Sequence, residues 1–333
     1  MGFVRPMVCA KSVRNPRARS VRTGPKLTTL SLENQTAAPA ARVTPPSPQR
    51  IGEQPGSDRF GGFRTTVIEP GRAPGIGSLH DLWAYRDLLA LLAWRDISAR
   101  YKQTALGVAW AIVQPVTAMV VFTVLFGRLA EMPSNGTPYP VFVLTALVPW
   151  TFFAGALTQA TNSLVGNANL ITKVYFPRLL LPAATITAGI VDLSIGLVVL
   201  AGMCLAYGVT PGPALFALPA LVGLTFMMAL GVGALLATVN VWYRDVRHAV
   251  PFGLQLWLFA TPVIYPINWL PESWRWVAVL NPLAGLINAY RAIVLSTPLD
   301  VAALVVSCIA AVVLCGAGVF CLRKTERTFA DVV

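Results

Sequence analysis

Charged residues are scarce in this sequence: they make up 12% of its 333 residues, whereas 55% are hydrophobic. A soluble domain carries about a quarter charged residues, so this chain is too apolar to fold as an ordinary soluble protein. Its uncharged stretches are long enough for bilayer-spanning helices, which need about 20 residues each. The composition therefore predicts an all-α integral membrane protein rather than two soluble domains.

Histidine and paired cysteines are also nearly absent. The two histidines, His80 and His248, are too few for a histidine-rich metal site. No two cysteines form a C-x-x-C pair, and four of the five lie in or beside apolar runs, where they serve as small apolar fillers. Neither a metal site nor a disulfide framework is expected. The cysteines are Cys9, Cys204, Cys308, Cys315 and Cys321.

The chain contains no phosphate-binding G-x-x-x-x-G-K-[ST] motif. That loop cradles nucleotide phosphates with backbone N–H groups and a lysine, so ATP hydrolysis by that route is not expected, nor is a bound cofactor. A membrane glycosyltransferase is disfavoured as well, because it would need metal- or base-forming carboxylates at the membrane face and the acids here are few and scattered. The sequence predicts a protein that is not an enzyme.

Most of the net charge of +12 lies in residues 1–77, which hold twelve basic and four acidic residues, a net charge of +8. This removes the main argument for nucleic-acid binding. The segment is rich in Pro and Arg, lacks a sustained apolar period and has no signal-peptide core. Three interpretations stay open: a disordered cytoplasmic tail, an organellar transit peptide, or a translation start assigned too far upstream.

Six membrane spans are predicted from the uncharged apolar runs. The run between Arg178 and Arg244 contains only one charge, Asp192, and the breaker run at 208–213 divides it into two spans. The fifth span contains three prolines and is expected to be short or kinked. The spans, which form a permease domain of residues 105–323, cover residues 106–127, 139–164, 180–206, 214–240, 249–266 and 301–322.

Residues 270–292 are predicted to form a re-entrant hairpin on the periplasmic or extracellular side, before the last span. The apolar run 276–290 has only fifteen residues and contains Asn281-Pro282, so it is too short to cross. Non-helical backbone at membrane depth is tolerated only inside protein or beside a water-filled cavity. We therefore expect this hairpin to border the conduit.

Residues 78–104 are predicted to form an interfacial helix and a linker, although their charges do not fall on one clean face and a plain solvated helix remains open. Orientation follows from Lys and Arg in short loops: with both ends inside, eleven lie on the inner side and three on the outer side. The sequence thus predicts a multi-pass protein, N-in and C-in, with residues 324–333 as a cytoplasmic C-terminus.

Ten short motifs are spread over the chain from the predicted interfacial helix to the predicted hairpin. They are Trp94-Arg95-Asp96-Ile97, Arg100-Tyr101-Lys102-Gln103-Thr104, Leu106-Gly107-Val108-Ala109-Trp110, Gln114-Pro115, Val148-Pro149-Trp150-Thr151-Phe152-Phe153, Tyr175-Phe176-Pro177-Arg178, Tyr243-Arg244-Asp245-Val246-Arg247-His248, Thr261-Pro262-Val263-Ile264-Tyr265-Pro266, Asn281-Pro282 and Tyr290-Arg291. Together they closely resemble the type-2 ABC export permeases that move polysaccharides, namely O-antigen, teichoic acid, capsule and cell-wall galactan. The resemblance covers about Leu79 to Arg323, is specific for the family but not for the glycan, and leaves out the long N-terminal tail.

The resemblance implies a permease subunit in the bacterial cytoplasmic membrane that exports a lipid-linked polysaccharide or cell-wall glycan. It implies a homodimer working with two copies of a separate ATP-binding subunit, which uses ATP and Mg²⁺. Two alternatives stay open: a type-2 ABC exporter of a drug or lipid, and an ion-coupled secondary transporter that uses Asp192. The second alternative would normally show an inverted repeat, and none is visible in the sequence.

The resemblance also implies that the loop between spans two and three docks on the ATP-binding subunit. Aromatic and cationic residues of the kind enriched at interface hot spots occur in this loop and in the loop after span four. The alternative is that the cations follow the positive-inside rule and the aromatics lie among the headgroups. The predicted coupling residues are Lys173, Tyr175, Phe176, Pro177, Arg178, Tyr243, Arg244, Asp245 and Arg247.

Aromatic residues at span ends are candidates to line a glycan conduit, because sugar C–H faces stack on rings without a fixed hydrogen-bond register. The alternative for each of them is packing between helices or contact with lipid. As a set, the predicted conduit residues are Trp150, Phe152, Phe153, Phe259 and Tyr265.

Asp192 lies near the middle of span three, so its carboxylate must face the bundle or a cavity and find a basic or hydroxyl partner. Proton coupling and a helix-to-helix hydrogen bond are its two possible roles. In the hairpin, Asn281, Pro282, Tyr290 and Arg291 are gate candidates. Arg291 would meet a lipid pyrophosphate or close the outer gate, or else snorkel to the interface.

Overall fold

The computed structural model describes residues 85–102, 109–174 and 176–326, all of which belong to one compact unit, Glu69–Val333. Regular structure in these ranges is entirely helical, as expected for the predicted class. The predicted N-terminal tail, residues 78–84 and 103–104 of the interfacial segment, Tyr175 and the last seven residues lie outside the described residues.

Ten α-helices follow one another along the described chain. The second continues as a π-helix, Thr123–Leu129, and short 3₁₀-helices cover Pro213–Ala217 and Ile267–Trp269. The α-helices are α1 Arg86–Lys102, α2 Ala109–Phe122, α3 Tyr139–Gly166, α4 Ala168–Lys173, α5 Leu180–Ala206, α6 Leu218–Trp242, α7 Val246–Ala260, α8 Glu272–Leu280, α9 Pro282–Leu295 and α10 Val301–Thr325.

Five of these helical segments are long and apolar enough to cross a membrane. They coincide with five of the six predicted spans. The predicted fifth span, 249–266, is different: its helix α7 begins earlier, at Val246, and ends at Ala260 after 15 residues. Pro262 and Pro266 follow, and proline cannot donate the backbone hydrogen bond that would extend a helix. The five spanning segments are Ala109–Leu129, Tyr139–Gly166, Leu180–Ala206, Pro213–Trp242 and Val301–Thr325.

Helix α3 forms the centre of the bundle, where it packs against α5 and α6, and α10 packs against α6 and α9. Small residues allow the closest of these contacts, as is usual between helices in membranes. A Cβ atom on Gly231 of α6 would lie 2.4 Å from the backbone N of Cys315 in α10. A Cβ atom on Gly285 of α9 would lie 2.1 Å from the carbonyl oxygen of Ala303. The glycines therefore set the distance between α10 and its neighbours.

The predicted hairpin consists of two helices, α8 and α9, that meet at Asn281. The Asn281 side chain accepts a hydrogen bond from the Leu283 N–H at 3.1 Å, and Pro282 occupies the first helical position. Both choices are favourable at a helix N-terminus. Helix α9 extends three residues beyond the predicted limit and ends where Ser296 adopts a left-handed conformation, φ 55°.

Helix α1 packs mainly against α5. Leu92 and Ala93 are buried, whereas the side chains of Leu91 and Trp94 are 64% exposed. The exposed apolar residues and the mixed placement of charges agree with a helix at an interface better than with one fully in water, but the membrane location of α1 stays a prediction.

Candidate functional site

A cavity of about 560 Å³ opens between α2, α3, α5 and α7, with the end of α1 at its edge. We call it the first cavity. Its lining combines aromatic rings with amide and hydroxyl groups and contains one acidic and one basic side chain. The polar and aromatic residues that line it are Arg100, Tyr101, Trp110, Gln114, Trp150, Thr151, Phe152, Thr158, Gln159, Asp192 and Gln255.

The chemistry of this lining suits a ligand that both donates and accepts hydrogen bonds. Each glutamine amide offers two N–H donors and a carbonyl acceptor, and each threonine hydroxyl does both. Aromatic rings add apolar surface with polar edges. Such a lining is unusual inside an otherwise apolar bundle, because polar groups within a membrane are costly unless they face a partner or water.

Asp192 has the basic and hydroxyl partners that its position requires. Arg100 donates to its carboxylate at 2.7 Å, and the hydroxyl of Tyr101 donates to its other oxygen. Both partners come from α1, 91 and 92 residues earlier in the chain. Burial, and then the hydrogen bond to Asp192, raises the pKa of Tyr101, so the phenol keeps the proton that it donates. The contact fastens the end of α1 to the middle of α5.

Two of the five predicted conduit aromatics, Trp150 and Phe152, line the first cavity. Phe153 does not: its side chain is fully buried and its ring meets that of Trp257 edge-on, 5.6 Å between centroids. The helical period turns Phe153 away from the first cavity and into the core, and its assignment to the conduit stays a prediction.

Phe259 and Tyr265 lie outside the lining of the first cavity. The Phe259 side chain is 56% exposed, and the ring of Tyr265 contacts that of Trp269 at 5.9 Å between centroids. The alternative role, packing or lipid contact, fits these two better. Three lining residues were not among the predicted conduit residues, namely Gln114, Gln159 and Gln255. The sequence contains a signal for them, because an amide within an uncharged span needs polar surroundings.

Residues 261–266, which connect α7 to the hairpin, have no regular helix, yet their carbonyl groups are satisfied by side chains. Arg291 donates to the carbonyl oxygens of Pro262 and Val263, both at 2.6 Å, and to that of Tyr265 at 3.3 Å. The Tyr139 hydroxyl donates to the carbonyl of Ile264 at 2.8 Å. Four successive carbonyls in the connector thus have protein donors, as irregular backbone in an apolar environment requires.

Asn281 fastens the start of this connector from the hairpin side. Its amide donates to the hydroxyl of Thr261 at 2.9 Å and to the carbonyl of Ala260 at 3.3 Å, while its carbonyl accepts from the indole N–H of Trp257 at 3.1 Å. The predicted gate residue Asn281 is therefore a structural junction between α7, α8 and α9.

Arg291 and Tyr290 are buried parts of the packing. The Arg291 side chain is 5% exposed, and its guanidinium carbon lies 3.7 Å from the centroid of the Phe142 ring. Its terminal N–H groups are bonded to carbonyls of the connector, and its predicted roles with a lipid pyrophosphate or at an outer gate stay predictions. Tyr290 is fully buried, with its hydroxyl 3.1 Å from that of Thr225 in α6, so it holds α9 to α6.

The predicted coupling residues of the first loop divide into exposed and anchored groups. Lys173 is exposed at the end of α4, whereas Phe176 is 5% exposed and belongs to the core. Arg178 donates from its guanidinium to the carbonyl of Glu326, and its backbone N–H donates to the Glu326 carboxylate at 3.1 Å. Phe176 therefore packs beneath the loop, and its predicted role in coupling stays a prediction. Pro177 is partly exposed.

The residues predicted in the second loop are exposed, and they occupy the end of α6 and the start of α7. Arg247 donates to the ring of His248 at 3.0 Å, and the Tyr243 side chain is 71% exposed. These two loops hold the exposed cations and aromatics at the ends of α4 and α6. The second-loop residues are Tyr243, Arg244, Asp245 and Arg247.

Comparison with known proteins agrees with this architecture. The ABC-2 type transporter family matches residues 87–295. The O-antigen export system permease protein RfbA of Myxococcus xanthus is 34% identical over 222 residues, which are 66% of this chain and 84% of that protein. RfbA of Klebsiella pneumoniae is 26% identical over 74% of this chain and 95% of its own length.

A more distant relative is the polysialic acid transport protein KpsM of Escherichia coli, 19% identical over 59% of this chain and 77% of its own length. The family match extends from α1 to the end of α9 and includes every helix that lines the first cavity. By its helices and by this match, the chain belongs to the ABC-2 type transporter family.

Proposed function

We propose that this chain is the membrane-spanning permease subunit of an ATP-driven exporter of a polysaccharide, with ATP hydrolysed by a separate subunit. The family and its relatives, named as O-antigen export and polysialic acid transport proteins, support this function. The observation that carries it is the first cavity, where amides and hydroxyls lie beside aromatic rings within an apolar bundle. A sugar chain presents both hydroxyls and apolar C–H faces to such a lining.

The proposed working unit is a homodimer bound to two ATP-binding subunits. A conduit for a hydrophilic polymer has to be closed off from lipid. In the single chain, the first cavity is open on one side, so one chain alone does not form a closed conduit. The helices α2 and α7 border this cavity and expose large apolar side chains, such as Val120, Phe252 and Leu256, each between 50% and 64% exposed. A second copy that covers α2 and α7 would complete the wall.

We propose six membrane crossings, with α7 as the fifth. Its 15 residues extend about 22 Å at 1.5 Å per residue, and the connector that follows adds the remaining length. The side-chain donors to the connector carbonyls support its location at membrane depth. Helices α8 and α9 then form the re-entrant hairpin on the outer side, and the distribution of Lys and Arg supports an N-in and C-in orientation.

Force from the ATP-binding subunit would enter through the ends of α4 and α6. Lys173, Tyr243 and Arg244 are exposed there, and an exposed mixture of aromatic and cationic groups is typical of interface hot spots. The buried Phe176 and the contacts between Arg178 and Glu326 would keep the first loop rigid, so that a push on α4 moves α5 and α10 together.

Two other functions are less well supported by the same observations. A drug or lipid exporter is less well supported because the relatives are named as O-antigen export and polysialic acid transport proteins, and the first cavity contains three glutamines and two threonines. Ion coupling at Asp192 would need a carboxylate free to exchange its proton, and this one is paired with Arg100 at 2.7 Å.

The test of the proposed function is to deplete this protein in its host and to analyse isoprenoid-linked glycans on each face of the cytoplasmic membrane. We expect long lipid-linked polymer to accumulate on the cytoplasmic face, which would also identify the glycan. An unchanged glycan pool together with an unchanged cell surface would contradict polysaccharide export and favour a small-molecule substrate.

A further inference from the structure

A second cavity, of about 490 Å³, lies between the N-terminus of α3, the connector and the two ends of α9 and α10. Eight of its fourteen lining residues carry a polar side chain. The second cavity lies near the N-terminus of α3, whereas the predicted coupling loop before α5 follows the C-terminus of α3. It shares no lining residue with the first cavity. The residues that matter here are Asn135, Asn268, Asn288, Arg291, Thr297 and Asp300.

Two N–H donors in the wall of this second cavity have no acceptor. The Nδ2 atom of Asn288 and the Nε atom of Arg291 are buried, and neither has a hydrogen-bond partner among the described residues. The two residues are three positions apart on α9, so they lie on the same face of that helix. A buried donor without an acceptor is unfavourable, so a ligand oxygen that reached the Asn288 amide would relieve this cost.

The charge of the cavity favours a neutral ligand over an anion. Its lining contains one cation, Arg291, and one anion, Asp300. The terminal N–H groups of Arg291 are already bonded to carbonyls of the connector and its Nε atom is buried, so Arg291 presents no free N–H group to an anion in the cavity. Asp300 uses one carboxylate oxygen to accept from the Ala303 N–H at 3.1 Å, and its other oxygen would repel a phosphate.

The lining of the second cavity contains both donors and acceptors, which match a ligand group that both donates and accepts. A sugar hydroxyl has one donor and two acceptor lone pairs, and the three asparagines of the lining offer amides that pair with such hydroxyls. The two charges of the lining, Arg291 and Asp300, cancel. The volume is on the order of that of a drug-sized ligand, which is sufficient for a short segment of a glycan.

We propose that the second cavity is a binding site for a neutral sugar segment, with Asn288 as its donor and Asp300 as its acceptor. This inference rests on the proposed polysaccharide export and adds a site outside the first cavity. Because Nδ2 of Asn288 is buried, the bound sugar would reach it after a rotation of the Asn288 side chain. The site would hold the part of the polymer that has already passed the first cavity.

A cysteine reporter at the rim tests the site. The full-length protein, with its five native cysteines replaced by serine and Thr297→Cys introduced, is placed in lipid nanodiscs and treated with a charged maleimide. Thr297 is partly exposed and lines the cavity, so its labelling rate reports occupancy. The probe is the mixture of oligosaccharides released by mild acid from the host's own surface polysaccharide, and inorganic phosphate serves as the competing ligand.

We expect the oligosaccharides to slow labelling at least threefold and phosphate to have no effect. Protection should disappear in the same background with Asn288→Leu, and it should persist with Ser194→Ala, an exposed position on α5 outside both cavities. If Asn288→Leu does not fold, Asp300→Asn replaces it, because asparagine keeps the helix cap and removes the charge. Protection should then weaken.

Three results would overturn the proposal. Protection by phosphate but not by sugar would indicate an anion site, no protection by either would indicate a cavity that holds only water, and protection that survives Asn288→Leu would place the sugar elsewhere. The depletion experiment keeps this inference separate from the proposed function: glycan that accumulates on the cytoplasmic face while Thr297→Cys stays unprotected would remove the second site and leave export intact.

Discussion

The spans that contain α2 and α3 are both long and apolar enough to cross a membrane, yet their surroundings differ. Of the most apolar 18 residues in each, 78% are buried in Tyr139–Gly166 and 11% in Ala109–Leu129. Apolarity therefore predicts that a helix crosses the bilayer but not what it contacts there. Helix α3 is enclosed by α5, α6 and α9, whereas α2 and α7 leave an apolar face beside the first cavity, which we assign to a second copy of the chain.

The largest expected effect comes from disrupting the close contact between α6 and α10, which belongs to the enclosed part of the bundle. In Gly231→Leu a side chain would enter the backbone of α10, because even a Cβ atom would lie 2.4 Å from Cys315 N. We expect no folded protein, measured as the loss of a monodisperse peak after detergent extraction. The matched control is Gly202→Leu on α5, where no atom lies within 4 Å of the built Cβ, and it should fold normally. Equal yields for the two variants would show that the contact between α6 and α10 is not essential.

The open side can be tested by crosslinking between copies. In a cysteine-free background, Phe252→Cys on α7 should form an interchain disulfide in most molecules after mild oxidation, since this face is assigned to the second copy. Val312→Cys on α10 is the control, because its side chain is similarly exposed, 60% against 64%, on a helix far from the first cavity. Crosslinking at Val312 and not at Phe252 would show that the dimer interface lies on α10 and that its assignment to α7 is wrong.

The docking surface should respond to charge reversal. Lys173→Glu combined with Arg244→Glu removes two exposed cations from the ends of α4 and α6, and each hot-spot residue contributes about 1–2 kcal/mol or more to binding. We therefore expect at least a tenfold loss of the ATP-binding subunit in co-purification, with the permease still folded. Arg128→Glu, an exposed cation at the end of the α2 span, should have no effect. Full retention of the partner by the double variant would be incompatible with the proposed coupling loops.

The smallest effect is expected at the ion pair between α1 and α5. Asp192→Asn keeps an acceptor for the Tyr101 hydroxyl and loses the charge that faces Arg100. The pair is about a third exposed, so its loss should cost about 1 kcal/mol or less and lower the melting temperature by a few degrees. A phenol ordinarily titrates near pH 10, and burial raises the pKa of Tyr101 independently of the Asp192 charge. Its hydrogen bond should therefore be retained between about pH 6 and 9, and the export rate relative to the unaltered protein should be constant over that range. Slower export in proportion to the proton gradient would instead indicate ion coupling.

The sequence predicts five of its six spans well, because their ends are marked by charges, prolines and glycines. The predicted span 180–206 matches α5, and 139–164 differs from α3 by two residues at one end. The predicted hairpin contains α8 and most of α9, with Asn281 and Pro282 at the junction, since both residues favour a helix start. These are local signals, which a single segment of sequence carries.

The contacts of the sites were less predictable because they join distant segments. Arg178 meets Glu326 across 148 residues, and Arg291 reaches the connector carbonyls across 26 to 29 residues. Nothing in the local sequence distinguishes the buried Phe153 from its neighbour Phe152 on the first cavity, because that choice depends on the rotation of α3 against α5 and α7. The sequence could identify a polar residue that needs a partner, as for Asp192, but not the partner itself.

The central claim is that sugar polymer passes through the first cavity, and ATP-driven transport in reconstituted vesicles tests it most directly. The permease and its ATP-binding subunit are reconstituted with the host's lipid-linked glycan, and the polymer protected inside the vesicles is measured with the unaltered chain and with Gln159→Leu. The account predicts that ATP-dependent uptake falls about fivefold in the variant, as expected for the loss of about 1 kcal/mol of hydrogen bonding. Binding of the ATP-binding subunit to the permease should be unchanged. Equal uptake by the two proteins would contradict passage through the first cavity.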